Sequence, residues 1–129
     1  MKEFKQLSLV LLISTSILIS LIRPVMAISN VNWILLKDNK IGKEWLDLGS
    51  IKKLKNQELS VLTRFYKKPS KSKEKGETTL YVMKINCENK YFKDISINGI
   101  PNFRSKWTSP NDDELIAIVI ERSCSEIGL

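Results

Sequence analysis

The 129-residue chain contains no histidine, and this absence removes several classes of enzyme. Ser–His–Asp and Cys–His hydrolases need an imidazole as their general base, so neither mechanism is open to this chain. Its five glycines do not cluster, which excludes a glycine-rich loop that cradles phosphate groups. A Ser–Lys or paired-carboxylate enzyme stays open, but no motif points to one. We therefore predict a protein without catalytic residues and without a cofactor.

The first 27 residues indicate export. They comprise a basic start, an apolar run from Leu7 to Ile22, and the small residues Val25 and Ala27. This is the pattern of a secretory signal peptide cleaved after Ala27. An uncleaved anchor is the alternative, although the run is shorter than the about 20 residues that a spanning helix usually needs. No cysteine lies near the cleavage site, so we predict a periplasmic or secreted protein and not a lipoprotein.

Cysteine is scarce as well, since Cys87 and Cys124 are the two in the chain. Without histidine and without Cys-x-x-Cys spacing they do not complete a tetrahedral zinc site, and we predict no metal site. Two buried free thiols are one interpretation. A disulfide is favoured, because an even number of cysteines in an exported protein is typical of a bridge. By reducing the entropy of the unfolded chain, that bridge would raise the free energy of unfolding by roughly 4 kcal/mol.

Residues 28–129 are expected to form one small domain rich in β-strands. Alternation of apolar, β-branched and aromatic side chains predicts five strands. They are Val31–Lys37, Glu44–Leu48, Leu59–Tyr66, Thr78–Asn86 and Lys90–Ile97. In the last of these, strict alternation would place residues 91, 93, 95 and 97 on one face and residues 92, 94 and 96 on the other. Asn98-Gly99 is a strong turn signal.

The C-terminal segment predicts a helix. Ser109 is expected to be the N-cap and Pro110 the first helical residue, with the acids at 112–114 complementing the helix dipole. Ile116, Ile120 and Cys124 recur every four residues, which places Cys124 on an apolar face. The β-branched residues leave a strand as the alternative. The predicted fold class is α+β, mainly β: an antiparallel sheet of about five strands with one C-terminal helix, stapled by the disulfide.

Several residues follow the order found in a known domain. Trp33 lies in the first predicted strand, the segment 45–51 reads Trp-Leu-Asp-Leu-Gly-Ser-Ile, and Trp107 and the two cysteines come later. From residue 32 to about 124 the chain resembles the surface-adhesin protein E-like domain of bacterial exported proteins, whose pattern carries an aromatic-x-Asp-x-x-Ser-Ile element. The resemblance implies an antiparallel β domain at the cell envelope and, in the named adhesin, binding of host matrix proteins. The chain lacks the lipid-anchor cysteine of many such proteins and any counterpart of the adhesive segment.

A run of lysines is the candidate binding site. The chain carries a formal net charge of +7, and five cations lie close together between the third and fourth predicted strands: Lys67, Lys68, Lys71, Lys73 and Lys75. A solvated loop is the simplest interpretation. The functional one is contact with an acidic glycan, an anionic lipid surface or an envelope protein. Nucleic acid is not expected, because no aromatic residues alternate with these lysines and the protein lies outside the cytosol.

The remaining conspicuous residues have structural interpretations. Trp33, Trp45 and Trp107 are expected to pack in or beside the core, and an aromatic platform for carbohydrate is the alternative. Asp47 and Ser50 are expected to satisfy backbone groups at the corner after the second strand. We therefore predict a non-catalytic envelope protein that acts by surface recognition. A structural or assembly accessory of a periplasmic complex is the alternative.

Overall fold

The computed structural model describes residues 30–128. The predicted signal peptide 1–27 and the cleavage after Ala27 lie outside the described residues. Within them, no helix is long and apolar enough to cross a membrane. The elements in chain order are β1 (Trp33–Asp38), β2 (Gly42–Asp47), a short 3-10 helix (Leu48–Ser50), β3 (Lys52–Lys53), β4 (Glu58–Lys67), β5 (Glu77–Asn86), β6 (Tyr91–Ile97), β7 (Ile100–Pro101) and α1 (Glu114–Glu126).

The strands form one antiparallel sheet in the order β1-β2-β4-β5-β6-β7, with β3 paired to β4. The five longer strands coincide with the five predicted segments, and the C-terminal helix is present. This confirms the predicted fold class. The two further strands, β3 and β7, are two residues each and carry too little alternation to be found from the sequence.

Two turns follow directly from their residues. Between β1 and β2, the Asn39 side-chain oxygen accepts hydrogen bonds from the backbone N–H groups of Ile41 and Gly42, at 2.9 and 3.0 Å. Between β6 and β7, Asn98 and Gly99 have φ angles of 49° and 80°. Positive φ at both central residues is what the two-residue turn of a twisted hairpin requires, so the Asn-Gly prediction is confirmed.

The core lies between the helix and one face of the sheet, here called the inner face. Alternate residues of the central strands project into it and are buried, as are residues of α1. The fully buried side chains of the sheet include Leu46, Leu59, Val61, Met83 and Ile85, and those of the helix include Val119, Ile120 and Cys124. The predicted alternation of Leu59–Tyr66 and the predicted apolar helix face are both confirmed.

A disulfide joins the helix to the sheet. Cys87 follows the last residue of β5 and Cys124 lies in the last turns of α1, with Cα atoms 5.7 Å apart. The bond closes a sequence separation of 37 residues. The predicted bridge is confirmed. Its contribution of roughly 4 kcal/mol from loop-closure entropy stays a prediction.

The predicted start of the helix is wrong by one turn. Asp113, not Ser109, is the N-cap: its carboxylate accepts hydrogen bonds from Leu115 N and Ile116 N at 3.0 and 3.2 Å. Pro110 lies before the helix, in a turn closed by a bond from Asp113 N to the Pro110 carbonyl. Asn111 has a φ of 48°, a left-handed conformation that a right-handed helix does not accommodate, so the helix begins after it.

The strict alternation predicted for β6 is also wrong in its second half. Val82 pairs with Ser96 and the next residue, Met83, pairs with Asp94, so Ile95 is an extra residue in the strand. Such a β-bulge reverses the alternation beyond it. Because directly paired residues share a face, Asp94 lies on the inner face with Met83, and Ser96 lies on the opposite face with Val82.

Candidate functional site

A hydrogen-bonded corner fixes the end of β2. The Asp47 carboxylate accepts from Asn32 N at 2.7 Å and from Gly49 N at 3.0 Å. The Ser50 hydroxyl donates to the Asp47 carbonyl at 2.7 Å and accepts from Leu62 N at 2.8 Å. The predicted structural role of Asp47 and Ser50 is confirmed. The corner ties the segment before β1, the end of β2 and the middle of β4 together, and so sets how these three strands meet.

The side of the sheet that faces away from α1, here called the outer face, carries the conspicuous surface residues. Cross-strand pairing places Leu35, Trp45, Arg64 and Leu80 side by side in one row over β1, β2, β4 and β5. Leu35 is 52% and Leu80 38% exposed. Within residues 30–128 no second layer covers this face, and its apolar and aromatic groups therefore form a surface and not a core.

Arg64 is held between two tryptophan rings on the outer face. Its guanidinium carbon lies 4.9 Å from the ring centre of Trp33 and 4.4 Å from that of Trp45. These distances are within the range of cation–π attraction. Its Nε is buried without a hydrogen-bond partner, and the side chain forms no ion pair with any residue the structure describes. Arg64 is thus a positioned cation that lacks a counter-ion in the described chain.

A second aromatic and cationic group lies farther along the same face. Lys84 and Lys93 are paired across β5 and β6, and their ammonium groups lie 5.8 and 4.8 Å from the ring centre of Trp107. Lys84 also forms an ion pair with Glu58. Trp107 is 38% exposed. Trp33 and Trp45 are half-buried, as predicted, whereas Trp107 is exposed, so the prediction that all three tryptophans pack in or beside the core is wrong for Trp107.

The sequence interpretation did not single out Arg64, Lys84 or Lys93. The signal that could have found Arg64 was present: Leu59, Val61 and Thr63 point inward, so Arg64 must point outward beside the aromatic residues of neighbouring strands. The missing information was which strands are neighbours. Trp33 and Trp45 reach Arg64 only through the pairing of β1 with β2 and of β2 with β4.

The five candidate lysines divide into two groups. The Lys68 ammonium group donates to Asp38 and to the Asn39 carbonyl, and that of Lys73 lies 2.7 Å from Glu77. These contacts lower the pKa of the Asp38 carboxyl, through Lys68 first and Lys43 second, and the pKa of the Glu77 carboxyl. The other three lysines form no ion pair within the described chain: Lys67, Lys71 and Lys75. Contact of this cluster with a polyanion stays a prediction.

Two local contacts restrict the shape of the loop between β4 and β5. Ser70 and Lys73 exchange backbone hydrogen bonds at 2.8 and 3.0 Å, so the tip is a closed turn. The ring and hydroxyl of Tyr66 lie over Gly76, where an added Cβ would come within 2.2 Å of the hydroxyl oxygen. A side chain at position 76 would therefore require the Tyr66 ring to move.

Metal chemistry has no obvious place in the described region. Among residues 30–128, no group of three or more Cys, Asp and Glu side chains is arranged to hold a metal ion. The titratable side chains of the outer face are instead arranged in pairs of opposite charge or against aromatic rings.

Comparison with known protein families matches residues 34–128 to the surface adhesin-E family. The chain belongs to this family. A search of curated proteins and a search of solved structures found no match. The matched region runs from β1 through α1 and includes the Asp47–Ser50 corner, the disulfide and nearly all of the outer face. The resemblance on which the sequence analysis relied is confirmed.

Membership of the family describes the chain as a surface adhesin-like protein and favours a non-enzymatic role. The structure explains why the aromatic-x-Asp-x-x-Ser-Ile element belongs together in such a domain. Trp45 lies on the outer face, and Asp47 and Ser50 fix the backbone that presents it. In this chain the element therefore places an aromatic side chain on an open sheet face.

Proposed function

We propose that this family member is an exported, non-catalytic envelope protein that acts by surface recognition, and that its outer face binds an acidic glycan. The observation that carries the proposal is the Arg64 guanidinium held between Trp33 and Trp45 without a counter-ion in the described chain. An acidic sugar offers both groups that complement this site. Its ring presents C–H bonds to an aromatic face, and its carboxylate or sulfate accepts hydrogen bonds from arginine.

The charge of the outer face favours an anionic partner. Asp38 is paired with Lys43 and Lys68, Glu58 is paired with Lys84, and Asp47 is occupied by backbone N–H groups. Arg64 and Lys93 are left as cations without an ion-pair partner among the described residues. Two unpaired cations on a face where Asp38 and Glu58 are already paired with lysines attract anions.

The candidate lysines extend this surface at one end. Lys68 contacts Asp38 at the end of β1, and Lys71 and Lys75 lie in the adjoining β4–β5 loop. A long polyanion bound along the sheet would reach them. Their role would be to strengthen association at low salt, whereas Arg64 and the tryptophans would position individual sugar units.

The proposal includes the location. The signal-peptide pattern at 1–27 supports cleavage after Ala27 and release to the periplasm or beyond. The absence of a cysteine at that cleavage site argues against a lipid anchor, and the Cys87–Cys124 bridge is the kind of bond that persists in an oxidising compartment.

The test compares Arg64→Gln and Arg64→Lys with the wild-type protein for binding to a sulfated oligosaccharide and to a neutral oligosaccharide of the same length. We expect selective binding of the sulfated chain and a loss of at least about tenfold in affinity for Arg64→Gln, because a charge-assisted hydrogen bond contributes about 1.5–3 kcal/mol. Arg64→Lys should recover part of the loss. Lys55→Gln, a change in the turn before β4, is the matched control for net charge.

Three outcomes would redirect the proposal. Equal binding by Arg64→Gln and the wild-type protein would remove the outer face as the site. Binding to vesicles of anionic lipid but not to the oligosaccharide would replace the glycan by a membrane surface. Capture of one defined envelope protein, without glycan binding, would favour the alternative of an accessory to a periplasmic complex.

A further inference from the structure

A cavity of about 400 Å³ lies on the other side of the sheet, between its inner face and the N-terminal end of α1. Three aromatic side chains line it, Phe65, Tyr81 and Phe92, and the helix contributes Leu115 and Ile116. It exists because α1 begins only at Glu114, so the helix covers the buried core near the disulfide and leaves the opposite end of the sheet partly open. The cavity is separate from the outer face and independent of the function proposed for it.

Carboxylates are concentrated in this apolar space. Glu44 is 2% exposed and lines the cavity together with Asp94 and the helix N-cap Asp113. A second hollow shares Asp113 with the cavity and adds Asp112 and Glu114 to its lining. This acidic concentration occurs in a chain whose formal net charge is +7, and so it runs against the overall charge of the protein.

Glu44 lacks a counter-charge in the described chain. Its carboxylate accepts a hydrogen bond from the Thr63 hydroxyl, but it forms no ion pair. Lys67 also lines the cavity without pairing to it, and Lys37, which is opposite Glu44 in β1, is paired with Glu114. A buried carboxylate without a cation is costly when ionised, and a bound cation would remove that cost.

We propose that the cavity binds a small organic ammonium ion, with its charged nitrogen beside Glu44 and its alkyl groups against Phe65, Tyr81 and Phe92. Aromatic faces attract ammonium groups through their negative quadrupole, and a ring of aromatic side chains is the recurrent way of recognising methylated ammonium. A metal ion fits less well, because no group of three or more acidic side chains in residues 30–128 is arranged to hold one. The apolar walls suit alkyl groups, which a hydrated metal ion does not offer.

The pH dependence of binding gives the proposal a signature. Burial first, then the nearby Asp113 and Asp94, raises the pKa of Glu44 to about 7. Burial also raises the pKa of Asp94. The other polar groups facing Glu44 are the Thr63 hydroxyl, Tyr81 and Lys67. Because the cation binds the ionised carboxylate, affinity should rise with pH until about 7 and level off above it.

The experiment uses choline as the probe and 3,3-dimethylbutan-1-ol as its uncharged isostere, titrated into the disulfide-bonded protein and followed by NMR chemical shifts. We expect saturable binding of choline at pH 8, weakened about tenfold for each pH unit well below 7. The shifts should centre on the lining residues, and the isostere should bind at least tenfold more weakly.

Variants assign the effect to the cavity. Glu44→Gln should weaken choline binding at least tenfold and remove most of its pH dependence below 7, leaving only the smaller contribution of Asp94. Asp94→Asn should weaken choline binding severalfold. Because Asp94 is half-buried, this substitution disturbs packing less, and it is the variant to use if Glu44→Gln does not fold. Glu58→Gln is the control, since that carboxylate lies on the outer face beside Lys84. Absence of choline binding at pH 8, equal binding of the isostere, or unchanged binding by both cavity variants would overturn the proposal.

Discussion

Replacing Glu44 with Gln should stabilise the ligand-free protein at neutral and alkaline pH and change its stability little near pH 4. Burial raises the pKa of this carboxyl from 4.5 to about 7 in the folded state. The folded protein therefore holds the proton more tightly than the unfolded chain does. As a result, the free energy of unfolding falls as pH rises from about 4.5 to about 7 and stays low above that range. At about 1.4 kcal/mol per pKa unit, ionised Glu44 costs on the order of 3 kcal/mol.

Urea unfolding followed by tryptophan fluorescence at pH 5 and pH 8 measures the effect. Glutamine keeps the shape of the protonated side chain and the acceptor for the Thr63 hydroxyl, so the variant lacks the pH-dependent cost. Its stability advantage over the wild-type protein should be about 2 kcal/mol larger at pH 8 than at pH 5. Glu58→Gln, which removes a surface ion pair with Lys84, should change stability by less than about 1 kcal/mol at either pH. An advantage for Glu44→Gln that is the same at both pH values would refute the reasoning.

Three further predictions concern the export signal, the disulfide and the lysines. Intact-mass measurement of the exported protein should give a chain that begins at Ile28, and a carbonate-resistant species that retains residues 1–27 would establish the anchor instead. Cys124→Ser should lower the free energy of unfolding by about 2–5 kcal/mol in denaturant melts, and two alkylatable thiols in native wild-type protein would contradict the bridge. Polyanion binding by the five candidate lysines should be measurable at low salt and fall sharply by physiological salt, because charges are screened beyond a Debye length of about 8 Å. Changing all five to Gln should abolish the binding at low salt. Thermal stability should change by less than about 0.5 kcal/mol, and unchanged binding would leave the loop as a solvated connection. The lysines are Lys67, Lys68, Lys71, Lys73 and Lys75.

A second variant makes the lysine experiment more specific, because two of the five lysines form ion pairs and three do not. Lys68 and Lys73 are held by Asp38 and Glu77, and their removal leaves those carboxylates unpaired. A triple change at residues 67, 71 and 75 removes the lysines that form no ion pair with described residues and leaves both pairs intact. If polyanion binding depends on available positive charge, the triple variant should lose most of what the fivefold variant loses.

Local patterns were sufficient for the existence of the five longer strands, for the Asn98-Gly99 turn and for the bridge. Period-two alternation in Leu59–Tyr66 sorts the side chains into a buried and an exposed set whichever strand comes next, because successive residues of a strand point to opposite faces. Asn98-Gly99 adopts its turn since these residues tolerate positive φ better than others. Two cysteines in a chain leave one intramolecular pairing, and no register has to be known to name it.

The helix start shows where a local pattern was ambiguous. Ser109 and Asp113 are both good N-caps, each followed by residues compatible with a first turn. The left-handed Asn111 decided between them, and nothing in the residue types around it demands that conformation. The bulge at Ile95 is a similar case, because an extra residue in one strand is defined only against its partner β5.

Both proposed sites depend on residues that only the tertiary structure brings together. Trp33, Trp45 and Arg64 belong to three strands, and they meet because the pairing of β1, β2 and β4 has one register, which a shift by one residue would destroy. Glu44 looks like an ordinary surface acid in the sequence, yet its pairing with Phe65 places it on the inner face, beneath the start of α1. The alternation of side chains along a strand is a local property. Which residue lies opposite on the next strand, and whether a side chain faces solvent or the core, is decided only when distant segments pair.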